Sequence, residues 1–242
     1  MSLRIDTLSL DANDAERLGR FWADALGWTL DHDGDGEFEV KPPPGGPPFS
    51  ILTLTVPEPK VGQNDVHLDL STTSLEDQRA FVEHLLSVGA RHLDIGQSPD
   101  AKHVVLADPE GNELCVLEPG NSFVDHESRL GAIVCDGARA VGVFWSEALG
   151  VPLVGDQDGE TVVRVGGDSG VFITWGGEEP GKKVRKNRWH LDLAPPADGD
   201  QQAEVDRLIA LGGQRIDIGQ GDVSWVVMAD PHGNELCVLT PR

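Results

Sequence analysis

ADPEGNELCVL at residues 107–117 returns as ADPHGNELCVL at residues 229–239, and the two stretches differ only at Glu110 against His232. Working outward, NDVHLDL (64–70) returns as NRWHLDL (187–193), and DIGQ (94–97) returns as DIGQ (217–220). His190 follows His67 by 123 residues and Cys237 follows Cys115 by 122, close to half of the 242-residue chain. A self-similarity of that period marks a tandem duplication, so a site must be sought at equivalent positions of both copies. Two domains are predicted, 1–120 and 126–242, joined by the linker PGNSFVDHES (119–128).

Each copy divides again. LRIDTLSL (3–10) alternates as a strand does. DAERLGRFWADALG (14–27) then places Ala15, Leu18, Phe21 or Trp22, and Ala25 or Leu26 at helical spacing, with Asp14 or Asn13 to cap it and Gly27 to end it. Short strands follow near Trp28–Asp31, Glu37–Lys41 and 50–56, around the loop PPPGGPP (42–48). The order β-α-β-β-β recurs from Val66, with Ser74 opening a helix that Gly89 closes and strands near Arg91–Ile95, His103–Ala107 and Leu114–Leu117. It recurs again from Leu130 and from Trp189, with strands near Arg215–Ile218 and Ser224–Ala229 in the last unit. DPEGN (108–112) is a tight turn before a final strand. The expected class is therefore α+β, four tandem units making two domains. Each domain would pair its two consecutive units into one curved, mostly antiparallel sheet of eight strands with helices outside.

The chain carries 41 Asp and Glu against 19 Lys and Arg, a net charge of −22, which makes nucleic acid and anionic membranes poor partners. No stretch is long and apolar enough to span a bilayer. MSLRIDTLSLDAND lacks a basic segment followed by an apolar core, so it reads as no secretion signal. Three cysteines, two of them at equivalent repeat positions, do not suggest a disulfide framework and point to a reducing cytoplasm. A small-molecule ligand is the expected partner, on a monomer that is an internal pseudo-dimer, or on a homodimer.

FWADALG (21–27), FWSEALG (144–150) and the two DPxGNELCVL endings resemble the vicinal-oxygen-chelate superfamily. That group holds glyoxalase I, extradiol dioxygenases, fosfomycin-resistance enzymes and bleomycin-resistance proteins, and the chain looks most like its glyoxalase-like branch. The resemblance implies a cup-shaped sheet around a ligand. It also implies metal ligands on the first and last strands of each unit where a metal is used. Position by position, His67 and His190 match the first-strand histidine, whereas Thr7 and Leu130 (or Arg129) stand where the other two units would supply one. The last-strand glutamate falls on Cys115 and Cys237; in the other units Thr53 and Thr174 are the nearest polar groups.

Strand alternation puts His67, Asp69, Glu113 and Cys115 on one face of the first domain, and His190, Asp192, Glu235 and Cys237 on one face of the second. No metal or other cofactor is expected. If a divalent metal is held, the donor sets are His67, Glu113 and Cys115, and His190, Glu235 and Cys237. Trp22 and Trp145 read as core, while Trp175, Trp189 and Trp225 occur only in the second copy and would line its cup. The basic loop 182–188, with Lys182, Lys183, Arg185, Lys186 and Arg188, is a solvated loop or a lid. The expected function is metal-independent binding or sequestration of a small molecule. The alternative is a metal-dependent lyase, isomerase or dioxygenase with a reworked His/Cys/Glu site.

Overall fold

The computed structural model describes residues 3–34, 36–122, 124, 128–167, 170–177 and 185–242. Unit one comprises β1 (Arg4–Ala12), α1 (Ala15–Leu26), β2 (Thr29–Gly34), β3 (Glu37–Lys41) and β4 (Ser50–Thr55). Unit two comprises β5 (Val66–Leu70), α2 (Leu75–Ser87), β6 (Arg91–His92), β7 (Val104–Ala107) and β8 (Glu113–Val116). Unit three comprises β9 (Leu130–Asp136), α3 (Arg139–Leu149), β10 (Leu153–Gln157), β11 (Glu160–Val165) and β12 (Val171–Gly176). Unit four comprises β13 (Trp189–Ala194), α4 (Gln201–Ala210), β14 (Gln214–Arg215), β15 (Val226–Ala229) and β16 (Glu235–Val238). None of the described helices is long and apolar enough to cross a membrane.

The caps predicted at Asp14, Gly27 and Ser74 are present, and α3 and α4 add Gly150 and Asp200. Asp14 accepts from the Arg17 amide, Ser74 from Asp77 and Asp200 from Ala203, each closing a free N–H of the first turn. Gly27 and Gly150 end α1 and α3 in the left-handed conformation, which costs glycine nothing. α3 alone begins without a side-chain cap, at Ala138 in extended backbone. Ala138→Asp is therefore expected to stabilise the protein by up to about 1 kcal/mol in chemical denaturation. β6 and β14 stop earlier than the alternation predicts. Asp94 and Gln97, like Asp217 and Gln220, take backbone N–H groups of the DIGQ segment that a longer ladder would need.

Two eight-stranded sheets form, β14-β15-β16-β13-β1-β4-β3-β2 and β10-β11-β12-β9-β5-β8-β7-β6. Five of the seven pairings in each are antiparallel. The partnership of units differs from the expectation of consecutive pairing. Unit one shares its sheet with unit four, and unit two with unit three, so each sheet draws on both sequence repeats. The ladder cannot distinguish the two arrangements, because β5 and β13 offer β1 the same His-Leu-Asp-Leu. The choice lies in residues beside it. Trp189, where β5 has Val66, meets Trp22 of α1 edge to face at 5.9 Å. Arg188, where β5 is preceded by Asp65, lies 3.5 Å from Glu110 and donates to the Glu58 carbonyl.

The repeated turn explains its own conservation between the copies. Asp108 Oδ1 accepts from the Glu110 and Asn112 amides, Asn112 Nδ2 donates to Asp108 Oδ2, and Gly111 takes φ 91°. Asp230, His232 and Asn234 repeat the pattern, with Gly233 at φ 88°. The one differing position has separate work. Glu110 accepts from the Asn13 and Asp14 amides at the start of α1 and lies 3.5 Å from Arg188, tying unit two to units one and four. His232 has no such role, and its Nδ1 is buried without a hydrogen-bond partner.

Candidate functional site

Helices pack on one face of each sheet, so strand parity separates core from site. On β13, Trp189, Leu191 and Leu193 face the helices and His190 and Asp192 face the other way; on β5, Val66, Leu68 and Leu70 contrast in the same manner with His67 and Asp69. The parallel ladders place Cys115 directly across from Asp69 and Cys237 directly across from Asp192. Each sheet thus carries, on its helix-free face, a cluster of one His, one Asp and one Cys. A donor atom from each lies within 4.8 Å of the others in both clusters.

The two clusters differ in detail. His67 Nε2 is 3.4 Å from Asp69 Oδ1, and His190 Nε2 is 3.2 Å from Asp192 Oδ1. These are ion-pair separations, and neither Oδ1 has an aligned hydrogen bond. Burial opposes charging of His190, but Asp192 and Cys237 outweigh it and hold its pKa well above the usual value. Asp192 is lowered: burial works against its charge, and His190, Ser9 and Thr7 overcome that. His67 is raised in the same manner, burial being outweighed by Asp69 with Asp136 and Glu113 behind it. Burial pushes both thiols up, so Cys115 and Cys237 carry their protons at neutral pH.

A pH dependence follows for the His190–Asp192 pair. The raised histidine contributes stability that is whole below about pH 6.5 and lost as pH rises through its folded pKa. The lowered aspartate contributes above about pH 4 and loses that contribution as pH falls through its folded pKa. Asp108, pushed up to about 6 chiefly by burial, opposes folding increasingly as pH rises from about 4 toward that value. Thermal stability is expected to peak on the acid side of neutrality and decline into the alkaline range. His190→Gln should flatten the alkaline limb of melting temperature against pH and leave the Asp108 slope in place.

Glu113 and Glu235 share the face but are engaged elsewhere. Glu113 accepts from Lys60 Nζ at 2.9 Å and from the Asn64 amide, and Glu235 accepts from the Asn187 amide. The third donor beside His and Cys is thus aspartate, where the sequence suggested glutamate. The partnering strand adds no ligand: Thr7 and Ser9 face Asp192 and His190 across the first sheet, and Ala132 and Val134 face Asp69 and His67 across the second. Ala132, and not Leu130, is the register equivalent of Thr7; Leu130 is buried in the core. Thr53 also lies on the helix side, donating to the Ala15 carbonyl.

The tryptophan expectation is corrected for Trp175 and Trp189. Trp175 and Trp189 are each 1% exposed in the main core, Trp175 stacked on Trp145 at 6.0 Å. Their strand parity is opposite to that of His190 and Thr174. Trp225 precedes β15 and is 39% exposed. Of the basic loop, Lys182 and Lys183 lie outside the described residues. Arg185 donates to the Gln63 carbonyl, Lys186 to Asp11 at 2.7 Å, and Arg188 to the Glu58 carbonyl at 2.6 Å, all in the first repeat. The described part of the loop fastens the repeats together.

As metal donors, an imidazole, a carboxylate oxygen without a hydrogen bond and a thiol fit a borderline-soft divalent ion such as Zn²⁺, with a fourth position left for a ligand. Binding would have to displace the thiol proton and the histidine proton. Without an ion, the same groups form a His–Asp pair beside a neutral thiol.

Residues 7–117 and 132–239 each match the model of a family described as a glyoxalase-like domain. No curated protein matches the sequence. Among solved structures, glyoxalase I from Zea mays superposes with a TM-score of 0.63 at 14% identity, covering 99% of this chain and 92% of that one. A proposed dioxygenase from Bacillus subtilis subsp. subtilis str. 168 superposes at 0.59 and 14% identity, covering 99% and 85%. At that identity the likeness concerns the fold alone.

Proposed function

The chain belongs to the glyoxalase-like domain family, and from that premise we propose that it binds small molecules on the helix-free faces of its two sheets without a resident metal. The observation that carries this reading is the origin of the donors. Each His–Asp–Cys cluster comes from a single unit, and the partnering strand supplies Thr7 and Ser9 or Ala132 and Val134, none of them a usual metal ligand. The histidine charge is met by its own strand's aspartate, so the floor is complete with a proton in the place of an ion. Acidic residues over the rest of the surface make nucleic acid an unsuitable partner.

Native mass spectrometry of the purified protein, paired with elemental analysis, tests this. The expected result is a retained or added small molecule with no stoichiometric zinc, nickel, manganese or iron, and ligand-induced thermal stabilisation unchanged by a chelator. Metal at one equivalent per cluster would overturn it.

A second reading, a metal-dependent lyase, isomerase or dioxygenase, is favoured by the convergence of three donors with the aspartate Oδ1 free of hydrogen bonds. An ion held by His67, Asp69 and Cys115, or by His190, Asp192 and Cys237, would polarise a ligand oxygen. Titration with Co²⁺ distinguishes the two. A thiolate-to-cobalt band that disappears in Cys115→Ser or Cys237→Ser supports the second reading, and its absence supports the first.

A further inference from the structure

We propose that the helix-free face of the sheet built from units one and four takes a carboxylate on an apolar body, seated in a cleft beside the turn 230–233 with Arg185 as its counter-ion. The inference rests on the small-molecule reading above and names the place on the face and the ligand chemistry.

The cleft measures about 780 Å³, the size of a small-molecule site. Ile216, Ile218, Ala229 and Pro231 form its apolar wall, with Arg185 and His232 beside them. It lies on the same face as His190 and Cys237. Ala229 pairs with Glu235 across the β15–β16 ladder, and Glu235 is two residues from Cys237, so the three side chains share a side. The edge strand continues that side: Gln214 pairs with Ala229, and the Ile216 amide donates to the Val227 carbonyl at 3.2 Å. Ile218 stands at the rim, 37% exposed. The DIGQ segment holds it there, because Gln220 accepts the Ile218 amide and Asp217 the Gly219 amide.

The carboxylates on the cleft wall are each taken up by backbone amides: Asp217 by Gly219, Asp230 by His232 and Asn234, and Glu235 by Asn187. Lys186 is paired with Asp11 at 2.7 Å. Arg185 donates to the Gln63 carbonyl, which carries no charge, and among the described residues no carboxylate meets its guanidinium. A guanidinium beside apolar side chains is suited to a carboxylate, which it can hold through two parallel hydrogen bonds. The counterpart in unit two lacks these parts. The Asn64 and Asn187 amides donate to Glu113 and Glu235, so Gly62 stands where Arg185 does. Glu110, which would repel an anion, takes the place of His232. Arg91 pairs with Ala107 as Gln214 pairs with Ala229, and its guanidinium lies over the turn, donating to the Asp108 carbonyl at 3.4 Å. A ligand there would have to displace Arg91, whereas Gln214, shorter and uncharged, is part of the cleft wall.

Isothermal titration with 1-naphthylacetate and its uncharged counterpart 1-naphthylacetamide tests the inference, at about 0.15 M salt so that the field of the acidic surface is largely screened. The expected result is one acid per chain, bound about tenfold more tightly than the amide, the size of a charge-assisted hydrogen bond. Arg185→Gln should bring the acid to the level of the amide. His232→Glu, which installs the residue that the same turn carries in unit two, should weaken the acid and leave the amide unchanged. Ile218→Ser should weaken both. Equal affinity for acid and amide, or acid binding unaltered in both Arg185→Gln and His232→Glu, would overturn the inference. Acid binding lost in His190→Gln and kept in Arg185→Gln would place the ligand on the His–Asp–Cys cluster and overturn it equally. If neither probe binds, the inference fails; the small-molecule reading fails with it only if native mass spectrometry also finds no bound molecule.

Discussion

Trp189→Ala is expected to cost about 3–5 kcal/mol of unfolding free energy, the range for emptying a large aromatic site from a packed core. The indole is 1% exposed and lies edge to face on Trp22, itself fully buried. Trp22 belongs to α1 of unit one and Trp189 to β13 of unit four, so the pair holds together a sheet whose halves come from opposite ends of the chain. The cavity cannot collapse easily, because β13 is fixed between β1 and β16. Trp225→Ala, by contrast, removes a side chain that is 39% exposed and should change stability by no more than about 0.5 kcal/mol. Chemical denaturation of the two variants side by side checks this. Comparable losses would mean that the assignment of Trp189 to the core, and with it the pairing of units one and four, is mistaken.

That contrast also shows what could be read from the sequence and what could not. The duplicated DPxGNELCVL, the strand alternation and the helix caps act locally, and each led to the element now seen. That His67 and Asp69, Glu113 and Cys115, and their counterparts His190, Asp192, Glu235 and Cys237 share a face was legible for the same reason: residues two apart on a strand share a face whatever the strand pairs with. Trp189 was misread although the same parity applied, because its presence in only one copy suggested a ligand and its neighbour His190 drew it into the site. The partnership of units was not legible at all. It depends on Trp189 meeting Trp22 and Arg188 meeting Glu110, contacts between positions more than 70 residues apart with no local signature. The same holds for the third donor of each cluster. Glu113 shares a face with Cys115, and only the fold shows Lys60 and the Asn64 amide occupying its carboxylate.

Gly142→Ala is expected to destabilise the protein by about 1–3 kcal/mol, although alanine is the better helix former by about 1 kcal/mol. Gly142 lies in α3, where the helix crosses β11. A Cβ there would stand 1.9 Å from Thr161 Oγ1 and 2.6 Å from Thr161 Cβ, distances that require the helix or the strand to move. Thr161 is itself fully buried, so its side chain has no space into which to turn. Gly19 is the matching position in α1, and its new Cβ would meet Leu30 Cδ1 at 2.9 Å and Thr53 Oγ1 at 3.1 Å. Leu30 is the end of a flexible side chain, so Gly19→Ala should cost less than Gly142→Ala. Thr161→Ala removes the closest atom, and combined with Gly142→Ala it should recover part of the loss. The double-mutant cycle would then show coupling of opposite sign to the single-variant effects. A Gly142→Ala variant as stable as the parent would mean that α3 sits farther from β11 than the structure places it. The helix-covered face of the sheet would then be looser than its buried residues imply.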